Sequence, residues 1–312
     1  MNAPAGRACP LRYRYGAEAI ASAPVVSAET LYVVGGLYGN LPALATIEAM
    51  AAAEPGVVSI VFNGDFNWFN VDAAGFSEIN RRVLAHHAIL GNVEAELGGE
   101  DNAAGCGCAY PVHVDSAVVE HSNRIHARLK ATAVRHPQLL DQLATLPMFA
   151  RFAVGDCRIG VVHGDADSLA GWQFDAGALD APDNQPWLRA AFGRAEVDVF
   201  ASTHTCLPAL RRFRLDSATG TVINNGAAGM PNFSRQRFGV LTRIGITAPQ
   251  QPVLYGATHR GIYIDALPVA YDTAEWERQF LANWPPGSPA WLSYQQRIAQ
   301  GPSHEISNAR GD

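Results

Sequence analysis

The sequence is nearly devoid of lysine: Lys130 is the only one among 23 basic residues. This skew is read as genome composition rather than function. Basic blocks are also missing and the formal net charge is -6, so nucleic-acid binding has little electrostatic support. No apolar run reaches the roughly 18 residues that a membrane helix needs, so no span is expected. The N-terminal stretch MNAPAGRACPLRYRYGAEAIASAP has basic residues but no continuous apolar core of the signal-peptide kind, and a cytoplasmic location is expected. Cysteine is sparse and odd in number (Cys9, Cys106, Cys108, Cys157 and Cys206), which argues against a disulfide framework. Most of the thiols are expected to be reduced. Internal repeats and low-complexity tracts are absent. What remains is apolar material: 48% of the 312 residues are hydrophobic and 17% charged, enough for a sizeable core. That length suits one large α/β domain with terminal segments, or two small domains.

Along the chain the pattern is strand, polar turn, helix, repeated. TLYVVG (30–35) is short, apolar and β-branched, as a buried strand should be. The turn GGLYGN follows. LPALATIEAMAAAE then places Leu41, Leu44, Ile47 and Met50 at helical spacing, with Pro42 near the start. VVSIVFNGD is a second strand running into a polar turn. Helix is predicted over 73–85, and a third short strand over 88–90 leads into GNVE. This alternation predicts a layered α/β fold with functional groups on the loops beyond the strands' C-terminal ends. Residues 98–113 form a long loop containing Gly, Ala and Cys. Helix is predicted over 116–143, broken near Pro137. MFARFAV and CRIGVVHGD read as a hairpin turning at Gly155 and Asp156. Further strands are predicted at 197–201, on both sides of the Ser/Gly turn in ALRRFRLDSATGTVINNG, at 237–244 and at 251–265. The chain ends in helix, Pro-Pro-Gly, helix over 272–300.

Five polar turns follow strands: GGLYGN (35–40), NGDFN (63–67), GNVE (91–94), VHGD (162–165) and STHT (202–205). A sixth, NNGAAG (224–229), follows the next strand pair. A single Gly-Asp or Gly-Asn turn carries little information. In this order and at these gaps, the turns resemble the ordered motifs of the calcineurin-like metallophosphoesterases over roughly residues 30–266. The likeness is to the bacterial branch whose first motif reads Asp-x-His-Gly-Asn followed by Leu-Pro-Ala-Leu; here GLYGNLPAL occupies that stretch. The resemblance implies a four-layer α/β/β/α sandwich, two mixed β-sheets flanked by helices. Residues 30–271 would form that domain, with an N-terminal extension (1–29) and a C-terminal helical extension (272–312). It also implies two metal ions about 3.5–4 Å apart that bind a phosphate ester and activate a water. Carboxylate, imidazole and amide ligands suit Mn, Fe or Zn.

Carried over residue by residue, the family's first Asp falls on Gly36 and its first His on Tyr38. Asp65 matches the bridging carboxylate, Asn92 the amide ligand, His163 the next ligand and His204 the last His. The family's catalytic His falls on Val93, and the first His of the closing motif on Ser202. The first metal position keeps Asp65 and His204, with Tyr38 a candidate substitute. The second keeps Asp65, Asn92 and His163. The uneven losses point instead to one divalent transition metal (Mn, Fe or Zn) rather than two, bound chiefly by Asp65, Asn92 and His163, since one carboxylate balances one cation better.

Each residue also has a plainer reading. Asp65 and Asn92 are common turn residues. His163 and His204 can be core histidines with backbone partners. Gly39 and Asn40 suit a tight turn and a helix cap. Asn40, Asn225 and Gly226 are the candidate substrate contacts, or parts of simple turns. Tyr38 either binds iron as a phenolate or packs in the emptied half of the cleft. Cys106, Cys108 and Cys206 either lend a thiolate to the metal or are small buried residues. Trp68 and Trp172 follow site turns, where they wall a pocket or fill the core. Two functions follow. One is a metal-dependent hydrolase of small phosphate mono- or diesters using Asp65, Asn92, His163 and His204, although Val93 cannot protonate a leaving group. The other is a catalytically inactive protein on that fold, binding a ligand or partner. The terminal segments either cover the core or form a homodimer contact.

Overall fold

The strand Thr30–Val34 is buried along its whole length, as TLYVV predicts. Alternation across the pleat sends Leu31 and Val33 to one core and Tyr32 and Val34 to another. That split defines the layers of the molecule. The computed structural model describes residues 4–99, 103–215 and 218–311. Its strands are β1 Val25–Ala28, β2 Thr30–Val34, β3 Val58–Phe62, β4 His87–Ala88, β5 Phe149–Val154, β6 Cys157–Val162, β7 Val199–Ser202, β8 Ala209–Arg214, β9 Thr219–Asn224, β10 Gly239–Gly245, β11 Tyr255–His259 and β12 Ile262–Val269. Its helices are α1 Ala17–Ala21, α2 Leu41–Ala52, α3 Ala73–Val83, α4 Asn92–Ala95, α5 Ser116–Ala133, α6 Pro137–Ala144, α7 Ala176–Asp180, α8 Gln185–Ala195, α9 Thr273–Asn283, α10 Pro289–Gln300 and α11 Ile306–Arg310.

The strands form two mixed six-stranded sheets, β11-β12-β10-β2-β3-β4 and β1-β5-β6-β7-β9-β8. Between the sheets, Leu31, Val33 and Val61 meet Ile159, Val161, Val199 and Ile223. On the outer face of the first sheet, Tyr32, Val34, Ile60 and Phe62 pack on Leu44, Ile47, Phe76, Ile125 and Phe280 of the helices. On the outer face of the second, Phe200 and Val222 meet Ile20, Leu188 and Phe192 of α1 and α8. Each such aliphatic or aromatic side chain contributes about 1.5–3 kcal/mol by leaving water. The result is the four-layer α/β/β/α sandwich. No helix among the described residues is long and apolar enough to cross a membrane.

Several elements start where the sequence says. Asn40 caps α2, its Oδ1 accepting from the Ala43 N–H at 2.9 Å. The β5–β6 hairpin turns at Gly155 and Asp156, with Val154 opposite Cys157. Other elements differ. The third strand is His87–Ala88 rather than 88–90. The stretch 251–265 resolves into β11 and β12, because Arg260 and Gly261 both take positive φ (48° and 83°) and reverse the chain. β1 pairs in parallel with β5, so residues 25–28 belong to the second sheet. The expected turn around Ser217 includes residues 216–217, and the long loop includes 100–102; both lie outside the described residues.

For function, the decisive feature is strand direction. β2, β3 and β4 run parallel in one sheet, and β6, β7 and β9 run parallel in the other. The six polar turns all continue from the carboxyl ends of these strands.

Candidate metal centre

Main-chain hydrogen bonds join the turns to one another. The Tyr38 N–H donates to the Asp65 carbonyl (3.2 Å), the Thr203 N–H to the His163 carbonyl (3.0 Å) and the Asn225 N–H to the Ser202 carbonyl (3.1 Å). Tyr38, Asp65, His204 and Cys206 have φ of 58°, 54°, 57° and 63°. Left-handed non-glycine residues cost about 1–3 kcal/mol each and persist only where their surroundings hold them. Four of them on adjoining turns mark a place where side-chain direction outweighs local comfort.

His163 is fully buried. Its Nδ1 lies 2.8 Å from the Asn63 carbonyl, which can only accept, so Nδ1 carries the proton and Nε2 presents a lone pair. Burial pushes its pKa down to about 4, which keeps the ring neutral. Around Nε2 stand Asn92 Oδ1 at 3.0 Å, His204 Nδ1 at 3.1 Å and Asp65 Oδ1 at 3.4 Å. The Asn92 amide is oriented from behind, its Nδ2 donating to the Cys106 carbonyl at 2.8 Å. Asp65 Oδ1, Asn92 Oδ1 and His163 Nε2 are thus all acceptors turned towards one another. A proton on His204 Nδ1 relieves only one of these contacts, and His204 Nε2 is buried with no hydrogen-bond partner among the described residues.

A cation among these atoms resolves the conflict. Metal–nitrogen and metal–oxygen bonds of about 2.0–2.2 Å set neighbouring ligands about 3.0–3.5 Å apart. The observed separations fall in that range. Asp65, His163 and His204 offer ligand atoms all within 4.8 Å of one another. One carboxylate, two neutral imidazoles and an amide oxygen fit a divalent transition metal.

The electrostatics agree. Burial pushes the Asp65 carboxyl up, opposed by the Val93 N–H that donates to its Oδ1 at 3.2 Å. His204 is held well below its ordinary value by burial and by His163. A bound cation favours the carboxylate and the neutral imidazoles together.

Glu94 carries a task that the sequence reading of GNVE left unassigned. Its carboxylate accepts from the N–H groups of Asp65 (2.8 Å), Asn67 (3.1 Å) and Gly91 (3.3 Å). It thereby locks the β3 turn onto the β4 turn and sets the direction of Asp65. Burial, and then the charge of Asp65, pushes its carboxyl up. The signal was present: a Glu three residues after Gly91, at the start of a helix, can reach back to the first free N–H.

The remaining candidates are placed as follows. Trp68, Trp172, Tyr110 and Tyr294 wall a cavity of about 160 Å³ over Asp65, Asn92 and His204. Tyr38 also lines it, with its Oη 3.0 Å from Cys206 Sγ. Val93 engages through its peptide, the carbonyl meeting His126 Nε2 at 3.0 Å. Ser202 is buried, and its Oγ has no hydrogen-bond partner among the described residues. Asn40, Asn225 and Gly226 do not line the cavity. The Asn40 amide is spent on capping α2 and on the Gly229 carbonyl (2.9 Å). The Asn225 amide donates to the Gly35 and Val240 carbonyls (3.1 and 2.8 Å), and the Gly226 carbonyl accepts from Thr203 Oγ1 at 2.8 Å. Cys9, Cys157 and Cys206 are free. Most of the five thiols are thus free, as expected; Cys106 and Cys108 are joined by a disulfide, which corrects the expectation that either lends a thiolate to the metal.

Known structures share this architecture. A metallophosphoesterase from Sphaerobacter thermophilus superposes with a TM-score of 0.56 at 18% identity, covering 88% of this chain and 99% of that one. A hypothetical protein from Pyrococcus horikoshii OT3 gives a TM-score of 0.58 at 13% identity, covering 89% of this chain and 100% of that one. By sequence, no family model and no curated protein matches. The chain has the fold of the calcineurin-like metallophosphoesterases, with a candidate metal-binding triad of Asp65, His163 and His204 at the strand ends.

Proposed function

We propose that this protein is a metal-dependent hydrolase of small phosphate mono- or diesters, with one divalent transition metal held by Asp65, Asn92, His163 and His204. The observation that carries the reading is the convergence of Asn92 Oδ1, His204 Nδ1 and Asp65 Oδ1 on His163 Nε2 at 3.0–3.4 Å. When bound, such a cation would polarise a phosphoryl oxygen and lower the pKa of a water beside it. The chain's own residues divide the other tasks. Glu94 and the Val93 N–H fix the Asp65 carboxylate, the Cys106 carbonyl fixes the Asn92 amide, and the Asn63 carbonyl fixes the His163 tautomer.

Proton supply is the weak link. Val93 has no proton to give, and burial pushes the Tyr38 hydroxyl further from being an acid. Esters with acidic leaving groups are the substrates that this cleft would turn over best. The same observation favours the second reading, a ligand-binding protein without turnover. Metal content by mass spectrometry, with aryl phosphodiester hydrolysis in added Mn, separates the two. Hydrolysis lost together with metal in Asp65→Asn and His163→Ala supports the enzyme; bound metal with no hydrolysis supports the binding protein. Hydrolysis that survives both substitutions belongs to another site.

A further inference from the structure

Helix α10 (Pro289–Gln300) lies beyond the stretch that resembles the phosphoesterase motifs. Ala290 and Ile298 anchor it in the core. Tyr294 and Arg297, three residues apart and so on one helical face, both line the cavity over Asp65 and His204. Tyr294 is fixed by an edge-on contact with Phe69, ring centroids 5.0 Å apart.

Among the described residues, Arg297 is the only arginine or lysine lining that cavity. Its Nε donates to the Pro231 carbonyl at 2.9 Å and its Nη2 to the Cys206 carbonyl at 2.7 Å. Both partners are neutral. Among the described residues no carboxylate pairs with it. The guanidinium is therefore held in place and half-buried, with its charge uncompensated and donors to spare. Ordinary practice in proteins is to pair such a charge. A planar, always-charged fork lining a small, mostly aromatic cavity that also holds Asp65, Asn92 and His204 suits an oxyanion with several equivalent oxygens. The cavity, about 160 Å³, is below the roughly 300–1,000 Å³ of sites that engulf larger ligands. A phosphoryl group with a small substituent fits that scale.

We infer that α10 completes the cleft and that Arg297 is its phosphate-binding residue, gripping non-bridging oxygens of a small phosphate ester while the surrounding rings hold the substituent. This deepens the proposed function and rests on it for the word ester; the phosphate-binding site itself stands on Arg297. A purely structural Arg297, pinning α10 to the loop that carries His204, would leave phosphate affinity alone.

Inorganic phosphate is the probe, titrated calorimetrically into full-length wild type and Arg297→Gln, each metal-loaded and chelator-treated, with metal content measured in parallel. Arg297→Gln is expected to weaken phosphate binding by tenfold or more in both states without changing metal content. Equal affinity in the two proteins overturns the inference. If the variant does not fold, labelling of wild-type Arg297 by phenylglyoxal, read by peptide mass, replaces it. Protection by phosphate supports the site, and equal labelling with and without phosphate overturns it. Wild type that binds phosphate but holds no metal would overturn the metal centre and leave this inference standing.

Discussion

The two sides of the cleft are built on opposite principles. On the side of Asp65, Asn92 and His163, polar atoms converge that cannot satisfy one another, and every one is aimed by a neighbour from behind. On the side of Tyr38, Cys206 and Tyr294, local contacts are already complete: the Tyr38 hydroxyl meets Cys206 Sγ at 3.0 Å, and Phe69 packs edge-on against both tyrosine rings. The first side holds its acceptors facing one another. The second is closed by its own side chains, apart from the Arg297 guanidinium, which meets no carboxylate among the described residues. Unsatisfied polarity held by a rigid frame therefore locates the chemistry better than polarity as such.

Substitutions should break this contrast unequally. The largest effect is expected from His163→Ala, which removes the atom around which the others gather. Metal affinity should fall more than about a hundredfold, beyond the 10–100-fold typical of supporting residues, as checked by competition with a chromophoric chelator. Unchanged affinity would mean that the acceptors do not share an ion. Glu94→Ala comes next. It strips the acceptor from three main-chain N–H groups and should cost at least about 3 kcal/mol in urea unfolding, at about 1–3 kcal/mol per orphaned group. A loss under about 1 kcal/mol would show that water replaces the carboxylate.

A pH experiment sharpens the comparison. His126 supports the Val93 carbonyl, and burial holds its pKa down to about 4. Its folded value lies below the ordinary one, so its contribution is complete above pH 6.5 and is lost as the pH falls towards 4. His126→Gln should flatten the fall in stability across that window, by at most about 3 kcal/mol; parallel curves would contradict a buried neutral ring. The smallest effect is expected on the closed side. Tyr38→Phe deletes one hydroxyl contact and should cost about 1 kcal/mol or less with metal content unchanged. Metal loss there would make Tyr38 a ligand after all.

Much of this was legible in the chain. TLYVV and VSIVF announce buried strands, Asn40 announces its helix cap, and Gly155-Asp156 announces a hairpin, because each signal is local. Asp65, Asn92, His163 and His204 were legible by the order of their turns, which parallel strands convert into proximity. What was not legible depends on distance or chemical state. Glu94 acts on a turn 29 residues earlier. Tyr294 and Arg297 sit in an ordinary amphipathic helix, with nothing nearby in sequence to mark them as facing the cleft. The spacing of Cys106 and Cys108 gives no reading of their oxidation. Arg260-Gly261 was overlooked as a turn because strand-forming residues flank it on both sides.

The left-handed backbone at residue 38 has an engineering corollary. Histidine and aspartate tolerate that conformation better than most side chains, and Gly36, at φ 62°, adopts it too. Yet a side chain at 36 would collide first with the Tyr38 ring, 2.9 Å from the new Cβ, and only then with the Ala227 main chain at 3.1 Å. Placing further ligand side chains on this turn is therefore a route with a preferred order: Tyr38→His relieves the tighter contact, and Gly36→Asp follows, with the Ala227 main chain still 3.1 Å from its Cβ. Taken in reverse, the first step is blocked by the residue that the second would have removed.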